Sequence, residues 1–275
     1  MRRKKRRLFC EICPFTYKLS LCKCRLLRYL KNMTEKKKFA VEKSENKLPY
    51  VIYSQKSLMR RKLGKVDLQL QENKVVNLNL SVPKVSGILI KPGETFSFWK
   101  LVGNTTKRRG YKEGLTIASG IPSSGTGGGM CQFTNLIHWL VLHTPLDITE
   151  HHHHDGIDLF PDYGRQIPFG TGTSIFYNYL DYRFLNNTNQ TFQLIVYTDE
   201  TYLYGEVRSQ LPLEVRYHIK AEDERFVRVE DAVIRKGKIY RETIDAKTGE
   251  IINRELIKEN HARVMYEVDE DTISC

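Results

Sequence analysis

The sequence lacks any unbroken apolar stretch of the roughly 18 residues that a membrane-spanning helix needs. It also lacks a secretory signal: "MRRKKRRLFCEICPF" begins with charge, but no apolar region of about 7–15 residues follows it. These two absences lead to the expectation of a cytoplasmic protein, at most resting on the inner membrane surface. There is no H-E-x-x-H motif, no internal repeat and no heptad pattern. The six cysteines, Cys10, Cys13, Cys22, Cys24, Cys131 and Cys275, form no framework of the kind that staples small secreted domains. Four of them crowd the first 24 residues, where Cys10-x-x-Cys13 followed by Cys22-x-Cys24 invites a zinc reading. C-x-C is an uncommon second pair, however, and reduced free thiols are the simpler expectation. No metal and no cofactor is expected.

Charge of one sign is missing from most of the chain. The net charge is +12, yet residues 1–38 hold 14 Lys/Arg against 2 Asp/Glu, and the other 237 residues hold 30 of each sign. The basicity therefore belongs to an arm and not to a globular face. A solvated arm is expected, with no nucleic-acid partner; its alternative role is peripheral contact with an anionic membrane. Within it, "YKLSLCKCRLLRYL" has the composition of a basic amphipathic helix that lies on a membrane without crossing it.

What is present is enough for a sizeable core: 275 residues, 40% hydrophobic and 28% charged. From about residue 49 the composition turns globular. In "LSVPKVSGILIKPGETFSFWKLVG" short apolar runs are split by Pro83, Gly87 and Lys91-Pro92-Gly93-Glu94. Pro followed by Gly at the centre of that tetrapeptide fits a type II turn with strands on either side. "CQFTNLIHWLVLHTP" spaces Phe133, Leu136, Ile137, Leu140 and Thr144 at helical intervals, and Pro145 marks the stop. "TEHHHHDGIDLFPDYGRQIPFGTG" reads as a long structured loop, and "SIFYNYLDYRF" as a return to β. From residue 191 onward "TFQLIVYT", "YLYGEVR" and "LEVRYHI" are strand-like, and "KIYRETIDAKTGEIINREL" is a hairpin around Gly249. The predicted fold is α+β: a β-rich single globular domain with a central helix following a Gly-rich loop, and a C-terminal β-meander. Its expected divisions are an arm and linker over 1–47, a domain carrying the candidate site over 48–205, and a β-hairpin region over 206–275 packed on the same domain.

The most distinctive stretch is "SGTGGGMCQFTNLIHW", which sets Gly127-Gly128-Gly129 and Met130 before Cys131. A helix that opens at Cys131 offers unpaired amides and partial positive charge there, which lowers a thiol pKa. Glycines leave the approach open, and amides of Gly128, Gly129, Met130 and Gln132 are then placed to hold a developing oxyanion. On the helical wheel the apolar stripe centres nearly opposite Cys131, so the thiol faces a cleft. The competing reading is a buried structural cysteine. His138, seven residues on, is about 10 Å away along a helix and reads as a polar-face residue. A base is better sought in "EHHHHDGIDLFPDYGR". One of its histidines could approach Cys131, oriented by Asp155, Asp158 or Asp162; two could bind a metal; or the run is a solvated polar loop. Arg165 is a candidate for holding a substrate carboxylate, and equally for bracing the loop through Asp162.

"KPGETFSFWKLVGNTTKRRGY" followed by "GGGMCQFTNLIHW", and continued by "HHHHDGIDLFPDYGRQIPFGTGTSIFYNYLDYRFLNNT", resembles the VanW family over roughly residues 85–200. The resemblance implies a cell-wall context, because such proteins accompany the enzymes that replace the terminal D-Ala-D-Ala of peptidoglycan precursors. Some VanW-domain proteins are implicated as L,D-transpeptidases, which cross-link peptidoglycan through a cysteine thioester. Carried over by position, Cys131 is the nucleophile, and the family's histidine after the helix aligns with His154, with His153 as the alternative. The implied function is an accessory role in glycopeptide (vancomycin) resistance, with peptidoglycan or its precursor peptides as partner. Either it is a cysteine acyl transferase, or it is a non-catalytic binding or accessory protein. The sequence departs from the family pattern in two ways: no signal or anchor is visible, and Gly172 stands where many members carry Asp.

Overall fold

The "KPGE" turn forms as its residue types dictate. In the computed structural model Gly93 takes φ 77°, and the Glu94 amide donates to the Lys91 carbonyl at 2.9 Å. The structure describes residues 8–60, 67–118, 121–153, 156–159, 161–162 and 167–274. In chain order the first elements are α1 (Pro14–Thr34), β1 (Lys38–Phe39), β2 (Tyr50–Leu58), α2 (Leu68–Val85), β3 (Ile88–Ile90), β4 (Glu94–Ser97) and α3 (Phe98–Val102). Next come β5 (Glu113–Ala118), β6 (Ile121–Thr126), α4 (Met130–Leu142), β7 (Asp147–Glu150), β8 (Ile157–Asp158) and β9 (Arg183–Leu185). The chain closes with β10 (Phe192–Thr198), β11 (Tyr202–Ser209), β12 (Val215–Val229), β13 (Ala232–Asp245), β14 (Ile251–Val264) and β15 (Ile273–Ser274). The fold is α+β and rich in strand, as expected.

Three larger sheets surround the helices. One runs β1-β4-β9-β7, the second β2-β11-β10-β3, and the third β15-β12-β13-β14-β8; β5 and β6 form a separate hairpin. The meander predicted from residue 191 divides between two sheets: β10 and β11 pair in the second, while β12, β13 and β14 are antiparallel and long in the third. Its hairpin turns at Gly249, where φ is 76°.

α4 is the central helix. The predicted stripe of Phe133, Leu136, Ile137 and Leu140 is buried, and so are Thr134, His138, Val141 and Leu142, so burial extends well beyond one stripe. It packs on the β2-β11-β10-β3 sheet at Gly205 of β11, where a Cβ would come within 2.7 Å of Leu140 Cδ1. Phe98 meets Phe133 edge-on at 5.4 Å, joining α3 to this core. Each fully buried Leu, Ile or Phe there contributes roughly 1.5–3 kcal/mol relative to exposure.

Two expectations from the sequence differ. "LSVPKV" is not a strand but the end of α2, with Pro83 inside its last turn. Asp67 Oδ1 caps the start by accepting from the Gln69 amide at 2.8 Å, and the Ser86 amide closes the end on the Val82 carbonyl at 2.9 Å. Pro83 has no amide to give to the Asn79 carbonyl, so the helix runs on to Val85 at the loss of one i→i−4 bond. The arm is not simply solvated either. α1 rests on the domain, and the chain after it joins the sheet as β1, parallel to β4.

Candidate functional site

The glycine run connects β6 to α4 through a confined space. A Cβ on Gly128 would lie 2.2 Å from the Gly114 carbonyl carbon of β5, and one on Gly129 would lie 2.2 Å from Lys74 Cγ of α2. Gly129 is the N-cap, at φ 101°, and no side chain caps the helix. Asn77 locks the crossing: its Nδ2 donates to the carbonyls of Gly128 (2.9 Å) and Lys112 (3.0 Å), while its Oδ1 accepts from the Lys112 amide at 2.8 Å. Gly128 is thus required by backbone-to-backbone packing on β5, and Gly129 by its positive φ and the Lys74 side chain, whatever chemistry the loop performs.

Cys131 is the second residue of α4 and is partly exposed. It stands on the face opposite the apolar stripe, together with Asn135 and His138, at the i, i+4, i+7 spacing. Segment 171–175 crosses this face. The Thr173 amide and hydroxyl donate to Asn135 Oδ1 at 2.6 and 2.8 Å, and the Thr173 hydroxyl also pairs with the Thr134 hydroxyl. This cover reverses the expected direction of the thiol pKa. Burial pushes the Cys131 thiol up, and hydrogen bonds from the backbone of Ile175 and of Cys131 itself offset that only in part. In the free protein at neutral pH the thiol is therefore protonated. Iodoacetamide labelling of Cys131, read by peptide mass against pH, should show a midpoint above the free-thiol value of about 8.5; a midpoint below it would refute this account of the site.

The amides near the sulfur also differ from those expected. The Gly128 amide donates to the Gly125 carbonyl at 3.1 Å, and the Gln132 amide to the Gly129 carbonyl at 3.0 Å. The Gln132 side chain braces α4 to β2, donating to Ser57 Oγ at 2.8 Å and to the Leu58 carbonyl at 2.7 Å. Met130 is a core residue whose sulfur accepts from Ser81 Oγ at 3.2 Å. The amides directed at the sulfur are those of Cys131 and Ile175. Asp162 is committed elsewhere: with Glu224 and Asp158 it surrounds the buried Arg235 guanidinium of β13, and Tyr266 adds a hydrogen bond to Asp158 at 2.8 Å. Arg165, and with it any Asp162–Arg165 brace, lies outside the described residues, as do His154 and Asp155.

The histidine run is drawn into the interior at its start. His151 Nε2 meets the Gly172 carbonyl at 3.1 Å, and the His151 ring packs on His138 and on His153, each at 4.0 Å between centroids. His138 is not a surface residue: it is buried, its Nδ1 pairs with Tyr182 Oη at 3.1 Å, and its Nε2 has no hydrogen-bond partner among the described residues. Burial lowers the His151 pKa to about 3 and holds that of His138 well below the usual imidazole value, so both rings are neutral at pH 7. His152 turns the other way, to Glu150 at 3.1 Å. Through Gly172 the segment that covers Cys131 also holds His151. Among the described residues no set of three His, Cys, Asp or Glu side chains converges as a metal site. A surface depression of about 880 Å³, lined by Leu58, Arg60, Asn79, Pro83, Tyr197 and Asp199, includes neither the thiol nor the imidazoles.

The sequence does not single out Asn135, Thr173 or Tyr182, and His138 reads there only as a polar-face residue. The spacing of Cys131, Asn135 and His138 on one helical face was a readable signal. Thr173 and Tyr182 carried none, since only folding brings them to α4.

Residues 73–208 match the family described as VanW like protein. Over 226 residues, 82% of each chain, the sequence is 35% identical to the vancomycin B-type resistance protein VanW of Enterococcus faecalis (strain ATCC 700802 / V583). Over 117 residues, 42% of this chain and 36% of the other, it is 32% identical to the uncharacterized protein YoaR of Bacillus subtilis (strain 168). No solved structure matches.

Proposed function

Because the chain belongs to the VanW family, which is associated with vancomycin resistance, we propose that it is an accessory protein of glycopeptide resistance working as a cysteine-dependent acyl transferase on peptidoglycan stem peptides. One observation carries this reading: a half-buried Cys131 at the start of α4, with two backbone amides aimed at its sulfur, under a segment tied to the histidine run. Cys131 Sγ attacks the carbonyl carbon of a stem-peptide amide, and the carbonyl electron pair moves to oxygen. The thiol proton passes to an imidazole of the run; His154 is the position indicated by the family pattern, and His153 is the alternative. Collapse expels the amine, which takes that proton and leaves a thioester. An acceptor amine then forms a new amide and releases the thiol; water in its place gives hydrolysis. Since burial keeps the thiol protonated, proton removal accompanies attack and no standing thiolate is required.

A β-lactam of the carbapenem type acts as an acylating analogue and tests the step. Intact-mass and peptide analysis should show one adduct on Cys131, absent from Cys131→Ala; unchanged labelling of that variant rules out this sulfur as nucleophile. The raised thiol pKa and the basicity that burial takes from His138 and His151 favour a second reading, a non-catalytic accessory protein that binds stem peptides. Stem-peptide binding that persists in Cys131→Ala, with no acylation of either form, decides for it.

A further inference from the structure

α1 is docked the wrong way round for a helix that belongs only to this domain. Three of its polar residues, Arg25, Arg28 and Asn32, face inward. Arg28 donates to both carboxylate oxygens of Glu150 at 2.7 and 2.6 Å and to the Tyr179 carbonyl at 2.9 Å. Arg25 lies 5.5 Å over the Tyr177 ring, and Asn32 Oδ1 accepts from Arg183 at 2.8 Å. The apolar residues face outward: Phe15, Leu19, Leu26, Leu30 and Met33 are all at least half exposed, from 50% at Leu30 to 75% at Met33. At about 100° per residue these five fall within about 60° of one another, roughly opposite the docked face. Lys18 and Lys23 border that stripe on either side, and six consecutive basic residues, Arg2 to Arg7, precede the helix in sequence. No residue of α1 is fully buried. No helix among the described residues is long and apolar enough to cross a membrane.

An apolar stripe edged with lysine, preceded in sequence by a polybasic run, is complementary to one kind of surface, the headgroup layer of a bilayer rich in anionic lipid. We propose that α1 is an interfacial helix, held to the domain by its polar face and entering an anionic membrane with its apolar face. The Arg28–Glu150 pair then carries the domain's histidine rim to the membrane, because Glu150 directly precedes His151. This inference stands on the orientation of α1 and does not depend on the acyl-transfer reading.

Co-sedimentation of the full chain with vesicles tests it, comparing phosphatidylcholine mixed with phosphatidylglycerol against phosphatidylcholine alone. Binding to the mixed vesicles is expected, falling as salt is raised. The triple variant Leu19→Gln, Leu26→Gln, Leu30→Gln should lose roughly tenfold or more in affinity, given the apolar area removed. It should keep the wild-type melting temperature, because these side chains already face solvent. Lys18→Glu with Lys23→Glu should weaken binding to the anionic vesicles at unchanged fold. No preference for anionic vesicles, or full binding by the triple variant, overturns the proposal. So does sedimentation equilibrium showing a wild-type dimer that the triple variant breaks while neither form binds lipid, since the stripe then belongs to a second copy of the chain.

Discussion

Gly128→Ala is expected to destabilise the fold by about 3 kcal/mol or more, the upper end of what overpacking costs. The new methyl would be placed 2.2 Å from the Gly114 carbonyl carbon and 2.4 Å from its oxygen, both backbone atoms of β5 that cannot rotate away. Relief would require parting β5 from the start of α4. That parting would break the Asn77 bridges to Gly128 and Lys112, leaving a buried amide side chain without partners. Gly156→Ala is the natural control. Gly156 also has a positive φ, 82°, but among the described residues beyond its chain neighbours nothing lies within 4 Å of its would-be Cβ. Its cost is backbone strain alone, about 1–2 kcal/mol. Urea unfolding of the three proteins separates the cases, and a Gly128→Ala midpoint equal to that of wild type would show that the crossing is looser than described. In a chain of this size about 3 kcal/mol corresponds to a loss of roughly 6–12 °C in Tm.

Asp181→Ala should cost about 3–5 kcal/mol, the typical penalty for stranding a buried charge. Asp181 is buried and accepts four hydrogen bonds: from Ser97 Oγ at 2.5 Å, the Trp99 amide at 3.0 Å, the Tyr182 amide at 2.9 Å and Arg183 Nε at 2.8 Å. Arg183 is equally buried and reaches Glu150 at 3.5 Å and Asn32 of α1. Removing the carboxylate leaves the guanidinium only its longer ion pairs, to Glu150 and to Glu35 at 3.6 Å, and strands the buried Ser97, Trp99 and Tyr182 donors, next to the strand that leads into the histidine run. The double variant Asp181→Leu with Arg183→Met should recover a large part of the loss, because no unpaired charge remains. A double-mutant cycle by urea unfolding measures the coupling. A single-variant cost under about 1 kcal/mol, in the range of surface ion pairs, would contradict the buried network.

Much of the architecture was readable because it rests on local pattern. The α4 stripe, the Pro92-Gly93 turn and the Gly249 hairpin each follow from spacing or from the φ a residue tolerates, and the structure contains all three. The end of α2 differs because Pro83 reads as a breaker, while the helix runs through it to Val85, closed by the Ser86 amide on the Val82 carbonyl. The site divides differently. That Cys131 lies at a helix start beside glycines follows from the chain's order, and so does its family. Which way its pKa moves does not. The helix start favours a lower value, and the segment around Thr173 and Ile175, some forty residues away in sequence, reverses the outcome by excluding water.

The same division holds for the histidines and the arm. Residue order supplied a run of imidazoles and a basic, apolar-striped helix. Folding chose His151 and His138 for the interior and turned the apolar side of α1 outward. Periodicity records which residues share a face, because neighbours along the chain set it. Burial, and with it proton affinity and the direction a face looks, depends on atoms brought from distant parts of the chain, and no short stretch encodes those.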